Sequence, residues 1–457
     1  MGRSIWCDVH GAFRMPCRVV STPCWSDSMS ATIIAMAVML ALIALEVPIA
    51  IAMLITGVVG CLSVLGWSPT LFLVGETAFS SVNNYSLTVV PLFILMGNLI
   101  NEADISRELY RTTYRFVGHL RGGLAIATVL ACAAFAAICG SSLATSAAMT
   151  RVAYPEMKRY GYSDALATGC IASAGTLGIM IPPSVALMVY GIMTQTDIGK
   201  LFIAGVLPGL LGALLYVGAV VVYTWRNPES GPAGERSTWT ERLHSLRSIG
   251  SVALLFGLVI GGLYGGWFTP TEAAGIGAAG AFAMVIARGR LTRKMLAQVL
   301  RETAVTTTSL FFILIGALVL SKYITISGFT PWLGGVLQGM DLSAMQFLLI
   351  ICAMYLVLGC FLESMSMLLL TLPIVFPLVV SFGIDPIWFG ILIVTLIEVA
   401  LITPPVGMNV YMLASQIPSV PLNVVFRGAS AFVAADVIRL GILLAVPAIA
   451  LWLPSIT

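Results

Sequence analysis

Long apolar stretches separated by short polar loops run along the chain from residue 31 to its end. A helix needs roughly 20 apolar residues to cross a bilayer, so each stretch of that length predicts a membrane span. The stretch 31–66 is long enough for two short spans joined at Pro48, because proline ends a helix. Further spans are predicted at about 86–101, 164–195, 198–225, 248–267, 270–287, 305–325, 385–416 and 430–454.

Two other apolar stretches, 123–160 and 343–382, are each interrupted near the middle by small polar residues. This pattern predicts a helical hairpin that enters and leaves the bilayer on one side. The spans 164–195 and 385–416 each contain a proline pair, which predicts a broken helix. The fold class expected is therefore an all-α polytopic membrane protein with two re-entrant hairpins and two broken helices.

Composition supports a membrane protein, since 59% of the 457 residues are apolar and only 9% are charged. A soluble domain carries about 25% charged residues. The formal net charge is +3, and no basic stripe is interleaved with aromatic residues, so we expect the lipid bilayer and no nucleic acid as a partner. Residues 1–28 lack helical periodicity and an apolar signal-peptide core. They read either as a short disordered tail or as sequence upstream of a true start at Met29.

The positions of the basic residues test the predicted membrane topology. Of the 20 Lys and Arg beyond residue 28, 17 lie in five stretches. If 123–160 and 343–382 are hairpins, all five stretches fall on one side, which the positive-inside rule assigns to the cytoplasm. If either of these two stretches crossed the bilayer once, the five basic stretches would lie on both sides of the membrane. The five stretches are 101–123, 151–164, the predicted cytoplasmic loop 226–247, 288–301 and the loop containing Arg427.

Short motifs recur at nearly one interval along the chain, which indicates duplication of a first part, 29–225, as a second part, 248–457. The predicted topology makes the copies inverted. Inverted repeats with broken helices at mid-membrane are typical of secondary transporters. The recurring pairs are FILMG at 93–97 and FILIG at 312–316, 219 residues apart, and Pro155 and Pro377, and Pro182-Pro183 and Pro404-Pro405, both 222 apart.

Each proline pair removes two backbone donors and leaves carbonyls one turn earlier without partners, which is costly in lipid. Sodium, like calcium, is a hard cation that binds carbonyl and hydroxyl oxygens, so it can take the place of the missing hydrogen-bond donors. Two proline kinks packed by small residues, without ions, would be the structural alternative. No cofactor is expected, and sodium is the coupling ion predicted. Its predicted ligands are Ser141, Ser142, Gly175, Thr176, Gly178 and Pro182 in the first part, and Ser364, Thr403, Pro404 and Gly407 in the second.

Helix N-termini at the breaks present positive dipole ends, which favour an anionic substrate. We expect substrate binding there and no catalytic residues. Glu363 and Glu398 lie beside the breaks, where intramembrane carboxylates are commonly functional. Asp436 and Arg439 are three residues apart and could pair. The predicted substrate contacts are Ser141, Ser142, Thr145, Ser184, Glu363, Ser364, Ser366 and Asn409.

Two amphipathic stretches, 104–119 and 291–304, carry arginines on a polar face. Such helices lie along the membrane interface. They read either as arms linking a scaffold to a moving unit or as interfacial helices without a mechanical role. Glu272, in the TPTE segment 269–272, is expected to be solvated or to cap a helix start.

Over about residues 30–455 the chain resembles the large membrane subunit of TRAP transporters, the tripartite ATP-independent periplasmic transporters. Six motifs together carry the resemblance. They are VPIA (47–50), PLFILMGNLI (91–100), GSSLATSAAM (140–149), GTLGIMIPPS (175–184), FTPTEAA (268–274) and ITPPVGMN (402–409).

The resemblance implies an elevator mechanism, sodium coupling and a location in the bacterial inner membrane. It also implies a small membrane subunit of about four spans and a periplasmic binding protein. The substrate would be an organic acid such as a dicarboxylate, a sialic or sugar acid, or a keto acid. It further implies sodium sites at the hairpin tips and proline breaks named above.

The sequence also bears on four other functional classes. A stand-alone sodium- or proton-coupled anion transporter of similar build would need no binding protein and stays open. The chain has three His, no HExxH motif and no GxGD aspartate pair, which argues against an intramembrane enzyme, and the absence of GxxxxGK[ST] excludes an ATP-driven pump within this chain. A passive channel would not explain the duplicated hairpins.

Overall fold

The computed structural model describes residues 25–456 as helices joined by short turns. Of the predicted N-terminal segment 1–28, residues 1–24 lie outside the described residues, and the first helix begins at Trp25. The helices of the first half are α1 Trp25–Ala44, α2 Ile49–Leu65, α3 Trp67–Val82, α4 Val89–Glu102, α5 Ile105–Val117, α6 Gly123–Cys139, α7 Ser142–Arg159, α8 Asp164–Ala174, α9 Val185–Thr194 and α10 Ile198–Arg226.

The second half repeats the order of the first, except that one helix, α13, takes the place of α3 and α4, and that α20 follows at the end. Seven helical stretches between residues 25 and 456 are long and apolar enough to span a membrane. The second-half helices are α11 Trp239–Tyr264, α12 Pro270–Ala287, α13 Arg293–Ile326, α14 Phe329–Gln338, α15 Ala344–Gly359, α16 Ser364–Ser381, α17 Pro386–Ile402, α18 Met408–Gln416, α19 Leu422–Ala445 and α20 Ala448–Ser455.

The predicted hairpins and broken helices are confirmed. Helices α6 and α7 form the first hairpin, and α15 and α16 form the second. Helices α8 and α9 are separated by a 3₁₀ turn, Gly175–Ile179, and the segment that contains Pro182. Helices α17 and α18 are separated at residues 403–407. The Pro182-Pro183 and Pro404-Pro405 peptide bonds are both cis.

The duplication extends to helix boundaries and packing. Helices α7 and α16 are both 18 residues long, begin 222 positions apart and enclose Pro155 and Pro377, respectively. Helices α8 and α17 also begin 222 positions apart, at Asp164 and Pro386. Contacts follow the same symmetry, since α2 packs on α13 as α12 packs on α4, and α18 packs on α7 as α9 packs on α16.

One predicted arm is wrong. Stretch 291–304 is not a separate interfacial helix, because α13 continues for 34 residues without a break. No proline or glycine interrupts the chain between Arg293 and Phe312, so nothing ends the helix there. The repeat interval instead pairs the separate helix α5 with α14, and α3 with the start of α13. Helices α3 and α14 were missed by the sequence pattern.

Two loops are shorter than predicted. Helix α11 begins at Trp239, inside the expected loop 226–247, because Thr238 and Glu241 form a capping box at its start. Helix α19 begins at Leu422, so Arg427 lies on an exposed helical face rather than in a loop. Glu272 forms the same kind of capping box with Thr269 at the start of α12, as expected.

Candidate functional site

A cavity of about 380 Å³ lies where the tips of the two hairpins meet. Ser141 and Ser142 line it from the first tip, and Glu363 and Ser364 line it from the second. Ser141 and Glu363 are 222 positions apart, as are Ser142 and Ser364, so equivalent positions of the two repeats line the same cavity. Four of the eight predicted substrate contacts are therefore brought together.

The remaining wall comes from the helices that pack against the hairpins. Gly97 and Asn98 of α4 and Thr306 and Leu310 of α13 line this side. The side chain of Asn98 donates to the hydroxyl of Thr303 at 3.0 Å, which joins the two helices. The cavity thus lies between the hairpin tips and these two helices, and Ile179 and Val185 of the first broken helix also line it.

Both tips begin a helix whose first amides are capped. Ser141 Oγ accepts from the backbone N–H of Ala144 at 3.4 Å. Glu363 Oε2 accepts from the N–H groups of Met365 and Ser366 at 3.0 and 3.1 Å. The N-termini of α7 and α16 therefore point their positive ends toward the cavity, with one carboxylate already bound in place at the second.

Ser142 and Asn409 connect the first hairpin to the second broken helix. Ser142 Oγ donates to Asn409 Oδ1 at 3.4 Å, and Asn409 Nδ2 donates to the carbonyl of Ala172 at 3.1 Å. Asn409 is fully buried and does not line the cavity. Its two hydrogen bonds therefore connect the second half of the chain to the first.

Three other predicted substrate contacts also lie off the cavity wall. Thr145 Oγ1 donates to the carbonyl of Ser141 at 2.7 Å. Ser184 caps α9 and donates to the carbonyl of Ile179. Ser366 is buried in the first turn of α16. These residues shape the tips and breaks around the cavity.

The first hairpin tip and the first break are in direct backbone contact. A Cβ at Gly175 would lie 1.8 Å from Ser146 Oγ, and one at Gly178 would lie 2.9 Å from the carbonyl oxygen of Ser141. Glycine at both positions is what allows this approach. Pro182 lies just beyond, and Thr176 Oγ1 donates to the carbonyl of Ser173 at 2.8 Å. All six sodium ligands predicted in the first part therefore lie at or next to this contact.

Two unpaired hydroxyls were missed, that of Ser146, which lies against Gly175, and that of Ser173, two residues before Gly175 in α8. Ser146 Oγ and Ser173 Oγ are buried, and neither has a hydrogen-bond partner among the described residues. A helical serine usually bonds its own backbone, as Thr150 does to the carbonyl of Ser146 at 2.7 Å. Ser146 lies in the tip motif, so the motif was a signal, but only the fold shows that its hydroxyl is left unpaired.

The second break holds three of the four ligands predicted in the second part, while the fourth, Ser364, lies at the hairpin tip. Thr403 Oγ1 donates to the carbonyl of Val399 at 2.6 Å, and the carbonyl of Pro404 accepts from Cys360 Sγ at 3.3 Å. Gly407 precedes α18 directly. Among the described residues, no group of three or more His, Cys, Asp or Glu could hold a metal ion.

A buried ionic cluster lies away from the cavity. Arg439 pairs with Glu398 and, at 2.9 Å, with Asp436, and all three side chains are fully buried. Tyr216 donates to Asp436 at 2.5 Å, and its hydroxyl lies 3.2 Å from Thr176 Oγ1. The Asp436–Arg439 pair expected from spacing is present. Glu398, expected beside the break as a functional carboxylate, is instead the third member of this cluster.

Comparison with known proteins identifies the family. The family model described as "Tripartite ATP-independent periplasmic transporter, DctM component" matches residues 36–449. The chain is 38% identical over 401 residues to the C4-dicarboxylate TRAP transporter large permease protein DctM of Pseudomonas aeruginosa, covering 87% of this chain and 93% of the relative. It is 34% identical to the protein of the same name from Vibrio cholerae, covering 91% and 98%.

A relative with a different named substrate is also similar. The sialic acid TRAP transporter large permease protein SiaM of Vibrio cholerae is 30% identical, covering 83% of this chain and 89% of the relative. The fold resembles the crystal structure of the Alcanivorax borkumensis YdaH transporter, with a TM-score of 0.59 and 13% identity over 83% and 89% of the two chains. The chain belongs to the family of tripartite ATP-independent periplasmic transporters, as a large permease component.

Proposed function

We propose that this chain is the large permease subunit of a sodium-coupled importer of a small organic acid. It works with a small membrane subunit and receives its substrate from a soluble periplasmic binding protein, in the inner membrane of a bacterium. Family membership supports the transport role and the partners. The single observation that carries the coupled mechanism is the meeting of both hairpin tips on one cavity, next to a backbone break that Ser146 contacts and Ser173 precedes, both with unpaired hydroxyls.

The substrate class is proposed from relatives and from the cavity together. Similar permeases are named for C4-dicarboxylates and for sialic acid, which are all organic acids. Two helix N-termini and the hydroxyls of Ser141, Ser142 and Ser364 face a cavity of about 380 Å³, which suits a small carboxylate. The Glu363 carboxylate already accepts two backbone N–H groups, which offsets part of its repulsion toward an anion.

Sodium is proposed at the contact between the first tip and the first break. Pro182 and Pro183 cannot donate to the carbonyls four residues earlier, and Ser184 serves only the carbonyl of Ile179. The unpaired oxygen of Ser146 lies against Gly175 at this contact, and the unpaired oxygen of Ser173 belongs to the helix that leads into the break. A cation that accepts hydroxyl and carbonyl oxygens would satisfy groups that the protein alone leaves without partners.

The proposed movement is of the elevator type, and the place of the cavity supports it. One wall belongs to the hairpins and the other to α4 and α13. Helices α2, α4, α12 and α13 pack against each other in symmetric pairs and form a scaffold. Movement of the hairpins and broken helices against this scaffold would carry the site from one side of the membrane to the other.

The test is uptake into vesicles that contain both membrane subunits and are supplied with the binding protein loaded with a labelled organic acid. We expect Ser146→Ala and Ser173→Ala to raise the sodium concentration for half-maximal uptake severalfold, because each removes a hydroxyl ligand. The matched control is Ser81→Ala, since Ser81 is a buried serine whose hydroxyl already donates to the carbonyl of Thr77. An unchanged sodium requirement in both variants would contradict the assigned site.

Omitting the binding protein from the same vesicles tests the tripartite assignment separately. We expect uptake of free substrate to fall close to background, because delivery to the cavity depends on the partner. Full-rate uptake by the membrane subunits alone would instead favour a stand-alone anion transporter.

A further inference from the structure

A second and larger cavity, of about 550 Å³, lies among α5, α7 and the segment that leads into α11. It shares no lining residue with the cavity at the hairpin tips. Its lining includes five arginines and three glutamates, which gives a formal charge of +2. The charged residues are Arg107, Arg111, Arg115, Arg151, Arg236, Glu156, Glu235 and Glu241.

Three separate elements contribute the positive charges. Arg107, Arg111 and Arg115 follow each other at intervals of four on α5, which places them on one helical face. Arg151 comes from α7, and Arg236 comes from the segment before α11. Like charges four residues apart destabilise a helix through their mutual repulsion. An anion bound in the cavity would neutralise these arginines and remove that repulsion.

The arginines are incompletely paired. Arg107 lies 3.5 Å from Asp104, and Arg115 donates to the carbonyl of Glu241 at 2.8 Å. Arg111, Arg151 and Arg236 have no ion pair with any described residue, although Glu156 and Glu235 line the same cavity. Three guanidinium groups thus keep free donors around one space.

Phenol hydroxyls add neutral donors. Tyr110 lines the cavity, is 3% exposed, and its hydroxyl has no partner among the described residues. Tyr114 and Tyr160 share a hydrogen bond of 3.1 Å. Burial, together with this bond, raises the pKa of Tyr114 to about 12, so the hydroxyl stays protonated at neutral pH. A buried hydroxyl without a partner is rare, and an acceptor oxygen in the cavity would satisfy it.

We propose that this cavity binds a phosphate group, carried either by the headgroup of an anionic phospholipid or by a small soluble phosphate ester. Guanidinium groups bind phosphate through paired hydrogen bonds, and several unpaired arginines match its three or four oxygens better than the two of a carboxylate. The cavity volume is in the range of about 300–1,000 Å³ that small-molecule sites occupy. The amphipathic helix α5 places the site at the interface, where headgroups and soluble phosphates both reach it.

The site lies on the side that the positive-inside rule assigns to the cytoplasm. It joins α5 to α7 of the first hairpin, so a bound phosphate would bridge a helix outside the hairpins to one inside them. The binding claim does not depend on the transport mechanism and can be tested without measuring uptake.

The test uses the purified full chain and two sources of phosphate. Native mass spectrometry compares adducts of phosphatidylglycerol with those of phosphatidylcholine, and calorimetry measures binding of glycerol 3-phosphate and of inorganic phosphate. The variant combines Arg111→Gln, Arg151→Gln and Arg236→Gln. Its matched control is Arg293→Gln, since Arg293 is an exposed arginine at the start of α13 and has no ion pair among the described residues.

We expect the triple variant to lose at least about tenfold in binding, since each basic residue near a membrane surface contributes about fivefold. Arg293→Gln should bind as the parent does. Preferential phosphatidylglycerol adducts would identify a lipid as the source, and saturable binding of glycerol 3-phosphate or phosphate would identify a soluble ligand. Tyr110→Phe removes only the unpaired hydroxyl and should also weaken binding.

Three results would overturn the proposal. The first is no preference for phosphatidylglycerol together with no binding of either soluble phosphate. The second is parental affinity in the triple variant, or, if that variant does not fold, in both Arg236→Gln and Tyr110→Phe. The third is binding of the transported organic acid alone at this cavity, which would assign the arginines to a carboxylate rather than a phosphate.

Discussion

At the scale of single residues, sequence spacing anticipated short-range contacts and missed long-range ones. The pairing of Asp436 with Arg439 follows from positions three apart on one helix, and it is observed at 2.9 Å. Nothing in the sequence joins Glu398 to Arg439 across 41 positions, because that contact depends on how α17 packs against α19. The unpaired hydroxyl of Ser173 was missed for the same reason.

The ionic cluster gives a prediction at this scale. Arg439→Gln would leave the carboxylates of Glu398 and Asp436 buried without their cation, a change that typically costs about 3–5 kcal/mol. We expect a clearly lower melting temperature for the purified chain. Arg427→Gln, an exposed position on the same helix, is the control and should melt within a degree or so of the parent, because surface substitutions change stability by about 0.5 kcal/mol or less. Equal melting of the two variants would show that the cluster does not stabilise the fold.

At the scale of helices, the repeat was the strongest signal in the sequence. Proline pairs 222 positions apart predicted both broken helices, and polar interruptions predicted both hairpins. Boundaries were less accurate where no residue type marks them. The missed helix α3 ends at Val82, whereas the equivalent part of α13 runs on without interruption, so one half has two helices where the other has one. Apolar periodicity alone does not distinguish these cases.

Packing between α2 and α13 gives a prediction at this scale. A Cβ on Gly57 would lie 2.8 Å from the backbone nitrogen of Leu320, so the two helices would have to separate. Alanine is favoured over glycine within a helix by about 1 kcal/mol, yet we expect Gly57→Ala to lower the melting temperature. The control is Gly75→Ala in α3, where nothing lies within 4 Å of the added Cβ and the melting temperature should hold or rise. A rise in both variants would contradict the close packing of the scaffold.

At the scale of the whole molecule, two independent patterns agree. The basic residues fall on one side only if both hairpins re-enter the bilayer, and the helix boundaries repeat as a duplication requires. Both hairpin tips line one cavity, which agrees with the predicted inverted repeat. Substrate identity was not readable at any scale, because relatives with different named substrates share this fold and much of this sequence.

The most direct test of this inverted arrangement is the accessibility of two equivalent positions. Arg159 and Ser381 are both exposed, end α7 and α16 respectively, and lie 222 positions apart. Each is replaced singly by cysteine, and labelling by a membrane-impermeant maleimide is measured above that of the parent chain. We predict that intact cells label Ser381→Cys and that Arg159→Cys reacts only once the membrane is opened. Equal labelling of both positions in intact cells would contradict the inverted repeat.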